Sequence, residues 1–455
     1  MKKKILYTFV ALTVLLLLVY LFRYNQSQVF EGRVPKDATT VVNVNLRQIE
    51  NDLLFDFLAH PITYLKSRRR EKDSIKKNKF PFINGIEIPE NVLFFSNEST
   101  FKNHWLSTVF NLKDKEKFTH YFLREKFVKS SLGAIEFYTK GNLVLAIYKD
   151  KLIHVIKSRD FGSTEDDISK MVTSVFNESE FLSQESELLK PISTSKSDLS
   201  FSSTNTSFLE VNFKEGLLEV TGNLVSDFFM TSTSSEIVGN PVGFFTAKIN
   251  KGNVHFKNIV AKGKVKFDRF THLSLDSIVR KWNGKLNLNL ISIENITDTI
   301  VTYEFDDDFN KVKKIATQEK AIPSLDIRLG KESQSDLSAY FWRKNAIQVH
   351  NNDTVFAALP IYKFDVVDAN DIFELTSGQN FSSQDSKTTK SRLNFYFDME
   401  KYLQQPLDVP LNSKQLKVLE LIKSSSIFWS ENNEISLKIE MKNADRNFLG
   451  QLIKH

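Results

Sequence analysis

The chain has 455 residues, a formal net charge of +6 at pH 7, 41% hydrophobic and 12% aromatic residues, and no cysteine. The missing cysteine excludes disulfides, thiol catalysis, Cys-ligated zinc or iron–sulfur clusters, and the acylated Cys of a lipoprotein. With 39 Phe, only 15 Gly and 10 Pro, the composition excludes a low-complexity stalk and allows a large core of regular elements.

The first predicted element is the apolar run Ile5 to Phe22, between Met1-Lys2-Lys3-Lys4 and Arg23. At a helical rise of about 1.5 Å per residue it is roughly 27 Å long, close to the roughly 30 Å of a bilayer's hydrocarbon core. It exceeds the usual apolar length of a signal peptide, and Leu21-Phe22-Arg23-Tyr24-Asn25 offers no small-residue cleavage site. The sequence therefore predicts an uncleaved signal anchor over 5–22, a cytoplasmic tail over 1–4 and a linker over 23–33. The basic start places the bulk of the chain on the periplasmic side of a bacterial inner membrane, crossed once.

A first domain is expected over 34–190. Val41 to Val44 reads as a strand running into Asn45, followed by a helix with Leu46, Ile49, Leu53 and Phe57 on one face and Gln48 completing a capping box. The segment 66–79, KSRRREKDSIKKNK, carries a net +6, equal to the charge of the whole chain. Its cations, Lys66, Arg68, Arg69, Arg70, Lys72, Lys76, Lys77 and Lys79, form a candidate patch for an anionic partner, although a solvated helix end or loop would look the same. No aromatic residue interleaves the run, so nucleic acid is not the expected partner. Thr108 to Leu112 leads into Asp114 and a helix with Phe118, Tyr121 and Phe122. Ala134 to Ile156, turning at Lys140-Gly141 and Lys149-Asp150, reads as a three-stranded meander.

The Ser/Thr-rich stretch 191–207 reads as a linker to a second domain over 208–455. There, meanders are expected around Lys251-Gly252-Asn253, Arg343-Lys344-Asn345 with Asn351-Asn352-Asp353, and Glu431-Asn432-Asn433. Leu273 and Leu275 lead into Asp276 with Gly284 as a helix stop, and Leu393, Phe395 and Phe397 lead into Asp398. Thr376 to Lys390 reads as an exposed loop. Ile435 to Met441 alternates into Asn443 and a closing helix. The acids and Asn residues that end these strands are expected to be helix N-caps, not catalytic groups. The fold class expected is α+β: an N-terminal transmembrane helix, then antiparallel sheets with helices packed on one face, in two similar-sized domains.

Chemical motifs are sparse. Asp306-Asp307-Asp308 with Asn310 fails the EF-hand pattern, since Lys311 and Thr317 stand where Gly and Glu are needed. Paired strands over 299–305 and 311–317 make it an acidic hairpin tip instead. The eight histidines show no metal-ligand spacing, so neither metal nor cofactor is expected. Ser193-Thr194-Ser195-Lys196 and Ser203-Thr204-Asn205 match two letter patterns of penicillin-binding enzymes, but Lys387-Thr388-Thr389 lacks the glycine of the third.

Val34-Pro35-Lys36-Asp37-Ala38 running into Thr39 to Leu46, the 112–118 strand-to-helix junction, the Lys149-Asp150 hairpin and the closing Asn447-Phe448-Leu449 helix resemble a family of single-pass membrane-anchored envelope proteins of the Bacteroidota. That resemblance implies tandem mixed α/β domains of unknown function behind one anchor. The function expected is a non-enzymatic binding or envelope-organising module, its partners being the membrane, envelope proteins, lipid or an anionic surface. A lipid-handling protein with an apolar groove and an unrecognised envelope hydrolase are the alternatives.

Overall fold

The computed structural model describes residues 30–64, 85–97, 105–157, 170, 172–173, 175–176, 181–232, 241–305, 309–332, 335–350, 353–359, 364–369, 371–377, 390–406 and 413–453. The predicted anchor 5–22, the basic run 66–79, the acid triplet 306–308 and most of the 376–390 loop lie outside these residues. The chain divides into two compact units, Met1–Phe213 and Lys214–His455.

In the first unit the strands are β1 (Thr40–Asn45), β2 (Asn91–Ser96), β3 (Trp105–Asn111), β4 (Val128–Leu132), β5 (Ile135–Lys140), β6 (Leu143–Tyr148), β7 (Lys151–Lys157), β8 (Leu199–Ser203) and β9 (Phe208–Lys214). Their order across the sheet is β9-β8-β1-β2-β3-β7-β6-β5-β4, antiparallel throughout. Helices α1 (Leu46–Ala59), α2 (Lys115–Arg124) and α3 (Lys190–Thr194) accompany it. The Ser/Thr-rich stretch thus holds α3 and β8, and β8 pairs with β1 inside this unit.

Strand β6 explains the layering. Its apolar residues are consecutive, so the two-residue period of a strand sends them to both faces. Val144 and Ala146 join one buried cluster with Val172, Val175 and Ile192, whereas Leu145 and Ile147 join another with Phe118 and Phe122 of α2. The sheet is consequently covered on both faces. Phe118 and Phe122 lie one helical turn apart, with ring centroids 4.5 Å from each other.

The second unit contains β10 (Leu217–Asn223), β11 (Phe229–Met230), β12 (Gly243–Ile249), β13 (Trp282–Phe305), β14 (Lys311–Lys331), β15 (Ile347–His350), β16 (Asp353–Phe356), β17 (Asp365–Asp368), β18 (Ile372–Thr376), β19 (Ser391–Asp398), β20 (Ile422–Ser430) and β21 (Glu434–Met441). They run β10-β21-β20-β19-β12-β13-β14-β18-β17-β16-β15, again antiparallel, and β11 pairs with the end of β12. Its helices are α4 (Val254–Thr271), α5 (Leu275–Lys281), α6 (Leu337–Arg343), α7 (Met399–Leu403), α8 (Ser413–Leu419) and α9 (Phe448–Leu452). One apolar cluster gathers Leu273, Leu337, Phe341, Phe364 and Phe373; a smaller one gathers Ala247, Leu393 and Trp429.

The expected fold class is corrected by these findings. The described chain is predominantly β, with 21 strands that pair only in antiparallel fashion. One-sided helix cover fails in the first unit because β6 is apolar on both faces. Among the described residues no helix is long and apolar enough to cross a membrane. The longest, α4, reaches 18 residues but carries charge along its length.

Cap chemistry separates the junctions read well from those read poorly. Asn45, Asp114 and Asp398 accept from the backbone N–H three residues on, at 3.0, 3.0 and 2.8 Å. Ser274, not Asp276, caps α5, and Asn447, not Asn443, caps α9. Asn253 caps α4, so Lys251-Gly252-Asn253 is a strand-to-helix junction and not a hairpin. Gly284 lies beyond α5, at a register shift inside β13, with φ +92°; a Cβ there would stand 2.3 Å from the Ile249 carbonyl oxygen.

Candidate functional site

The feature that burial and pairing do not explain is the far end of the β13–β14 hairpin. Strand β12 flanks β13 only at residues 285–290, and β18 flanks β14 only at 326–330. From Ile293↔Pro323 to Phe305↔Lys311 the two strands pair with each other alone among the described residues. These 13 register pairs make a ribbon about 40 Å long at a rise of roughly 3.4 Å per residue. An isolated two-stranded ribbon is at best marginally stable in water.

Side chains account for its regularity without burying it. Thr297, Thr302, Thr317, Val301 and Ile315 supply β-branched residues suited to extended backbone. Lys314 pairs with Glu304 at 2.7 Å, and Lys311 stands 4.3 Å from the Tyr303 ring centroid. Such exposed contacts each contribute a few tenths of a kcal/mol to about 1 kcal/mol. Val301, Tyr303 and Ile315 share one face, with Val301 directly opposite Ile315, and Ile315 is 63% exposed. Phe309, in the turn at φ +58°, is 85% exposed. At the base of the arm the Ile293 N–H donates to Gln405 and the Pro323 carbonyl accepts from Ser377; beyond that pair no further strand flanks either edge among the described residues, and an apolar strip lies beside them.

Three polar clusters were the other possibilities. In the second unit Arg328, nearly buried, donates to Asp326 at 3.3 Å and to Glu374 at 3.4 Å, while Asn289 donates to Asp326 at 3.1 Å. Burial raises the Asp326 pKa, opposed by Arg328 and reinforced by Glu374. The guanidinium neutralises carboxylates inside the sheet, and Asn289 Oδ1 has no hydrogen-bond partner. In the first unit, burial raises Asp198 to about 6, with Asp52 hydrogen-bonded beside it and also raised by burial. Asp198 accepts from the Phe213 N–H at 2.6 Å. The third cluster lines a depression along α2, with Lys113, Asp114, Lys117, His120 and Arg124. There Asp114 already caps the helix and pairs with Lys117 at 2.9 Å, its pKa lowered first by the Lys117 N–H.

None of these clusters joins a nucleophile to a base. Among the described residues no group of three or more His, Asp or Glu could hold a metal ion. The candidate anionic patch, Lys66, Arg68, Arg69, Arg70, Lys72, Lys76, Lys77 and Lys79, falls outside the described residues. Of the penicillin-binding strings, Ser193 Oγ donates to the Lys190 carbonyl and Ser203 Oγ to that of Thr39, as structural hydroxyls do. The expected paired strands over 299–305 and 311–317 do form, with Thr299 opposite Thr317 and Phe305 opposite Lys311. Reading them as an acidic hairpin tip missed the arm, in which β-branched residues recur at 293, 296, 297 and 299–302.

No known protein family matches the chain, and neither does any curated protein. Two crystal forms of TP0453 align with it. Form I has 10% identity over 77% of this chain and 92% of that one at a TM-score of 0.23. Form IV has 12% identity over 42% and 80% at a TM-score of 0.26. A likeness at these scores carries no argument about fold or function.

Proposed function

We propose that this chain is a non-enzymatic binding module, and that the β13–β14 arm is where it engages a partner polypeptide. The observation that carries this reading is the 13-pair ribbon, flanked beyond its base by no further strand among the described residues, with Val301, Tyr303, Ile315 and Phe309 exposed. Backbone edges of this kind recruit an added strand, whose main-chain hydrogen bonds supply affinity and whose alternate side chains meet the apolar strip. The commitment of Asp114 and Asp398 to caps, and of Asp326 and Glu374 to Arg328, supports a binding role over a hydrolytic one.

A photo-crosslinking residue at Tyr303 in the full chain, compared with one at the Lys149 turn of the first unit, tests the reading. A discrete adduct at position 303, absent at 149, is expected. The adduct should disappear when Val301 and Ile315 are both changed to Asp in the probe-bearing chain. A second copy of this chain in the adduct would make the arm a self-docking surface and still support the reading. Equal adducts at both positions, or none at 303, would overturn it.

A further inference from the structure

Helix α4 presents a second surface, independent of the arm. The helix is fixed at both ends: Asn253 caps its start, and the left-handed His272, whose N–H donates to the Asp268 carbonyl, ends it. Phe256 and Phe267 face inward, Phe256 lying 6.0 Å from Trp282 and Phe267 against the larger apolar cluster. The outward residues follow from the helical period of 3.6 residues. Val254, Asn258, Val265 and Arg269 form one outer stripe; His255, Ile259, Lys266 and Phe270 form the next, with Lys262 between them.

Val254, Ile259, Val265 and Phe270 are each more than half exposed. Around them the helix carries Lys257, Lys262, Lys264, Lys266 and Arg269 against Asp268 alone, a net +4. Lys264 is paired with Asp276 and Asp268 accepts from the Leu275 N–H, so both are committed to α5. Lys262, Lys266 and Arg269 have no ion-pair partner among the described residues. Branched and aromatic side chains alternating with unpaired cations on one outer face match one environment, in which the apolar groups enter acyl chains and the cations meet headgroup phosphates. A nucleic acid would neutralise the cations but leave Val, Ile and Phe unrewarded. With five cations and one acid along its 18 residues, α4 is too polar to cross a bilayer.

We infer that α4 lies against an anionic lipid surface through Val254, Ile259, Val265 and Phe270, held there by Lys262, Lys266 and Arg269. The absence of cysteine makes the test specific. Val265→Cys in the full chain gives a single attachment point for a polarity-sensitive fluorophore, which reports lipid contact by this helix and not by any other segment. With phosphatidylcholine vesicles containing phosphatidylglycerol, the emission should shift to the blue. Pure phosphatidylcholine should give little shift, and a label at Asn433→Cys none. Adding Lys262→Gln, Lys266→Gln and Arg269→Gln should weaken the docking equilibrium roughly fivefold per cation removed, the fold-change equivalent to about 1 kcal/mol each. An unshifted label while the protein sediments with anionic vesicles would overturn the inference. So would an equal shift with uncharged vesicles, or a shift given by single-stranded DNA instead of lipid.

Discussion

Asp198 and His154 are opposed titrating groups within the first unit. Burial raises Asp198 from 3.8 to about 6 and lowers His154 from 6.5 to about 4. For Asp198 the folded state holds the proton more tightly, so its contribution is present below its unfolded pKa and is lost as pH rises through about 6. For His154 the folded state holds the proton less tightly, so its contribution is present above its unfolded pKa and is lost as pH falls towards about 4. Between pH 6.5 and 4.5 each changes stability by about 2 kcal/mol, in opposite directions, at roughly 1.4 kcal/mol per pKa unit. Asp198→Asn should therefore make the first unit less stable on acidification over that window, and His154→Gln more stable, relative to wild type. Urea unfolding at both pH values checks this; identical pH trends in all three proteins would show that neither group is buried as described. In the second unit, Arg328→Met should destabilise by about 3–5 kcal/mol, because Asp326 is then left buried without its cation. Asp326→Asn in the same chain should recover part of the loss, and additive losses in urea unfolding would count against the ion pair.

At the scale of elements, the arm contributes exposed surface and little burial. Replacing residues 295–321 with Asn-Gly should leave the unfolding free energy of the second unit within about 1 kcal/mol of wild type. A larger loss, measured by denaturant unfolding, would mean that the ribbon is part of the core. What the local pattern disclosed was local. The Asn45, Asp114 and Asp398 caps, the β5–β7 meander and the β20–β21 hairpin, with Asn433 at φ +68°, rest on neighbours a few residues apart. Where a second cap residue stood nearby, as with Ser274 before Asp276 or Asn447 after Asn443, composition could not choose between them, because either side chain can accept from a backbone N–H two or three residues on and so start a helix. Gly284 was misread for a related reason: a glycine after a helix usually ends it, and only the approach of the Ile249 carbonyl shows that this one serves a bulge. The arm's length was hidden because a free ribbon and a ribbon inside a sheet share the same alternation.

At the scale of the whole chain, both units are closed by strands far apart in sequence. Strand β1 pairs with β8, Thr40 opposite Ser203, and β10 pairs with β21, Leu217 opposite Glu440. No local pattern encodes such a pairing, which is why the position of β8 inside the first unit escaped the reading of 191–207 as a linker. The same separation orders the folding steps. Strands β4 to β7 are joined by turns at Gly133, Gly141 and Lys149, all at positive φ, so each hairpin closes over a few residues. Bringing β8 onto β1 closes a loop of more than 150 residues, and the entropy of closure must be met before any cross-strand bond forms. Pulse-labelling hydrogen exchange during refolding should therefore protect the amides of β5, β6 and β7 before those of β1 and β8. Mutating Leu145 to Ala, in the buried middle of β6, should slow folding, whereas Phe201→Ala in β8 should chiefly speed unfolding. Early protection of β1 and β8 would reverse this order, and would mean that the unfolded chain already holds its distant ends together.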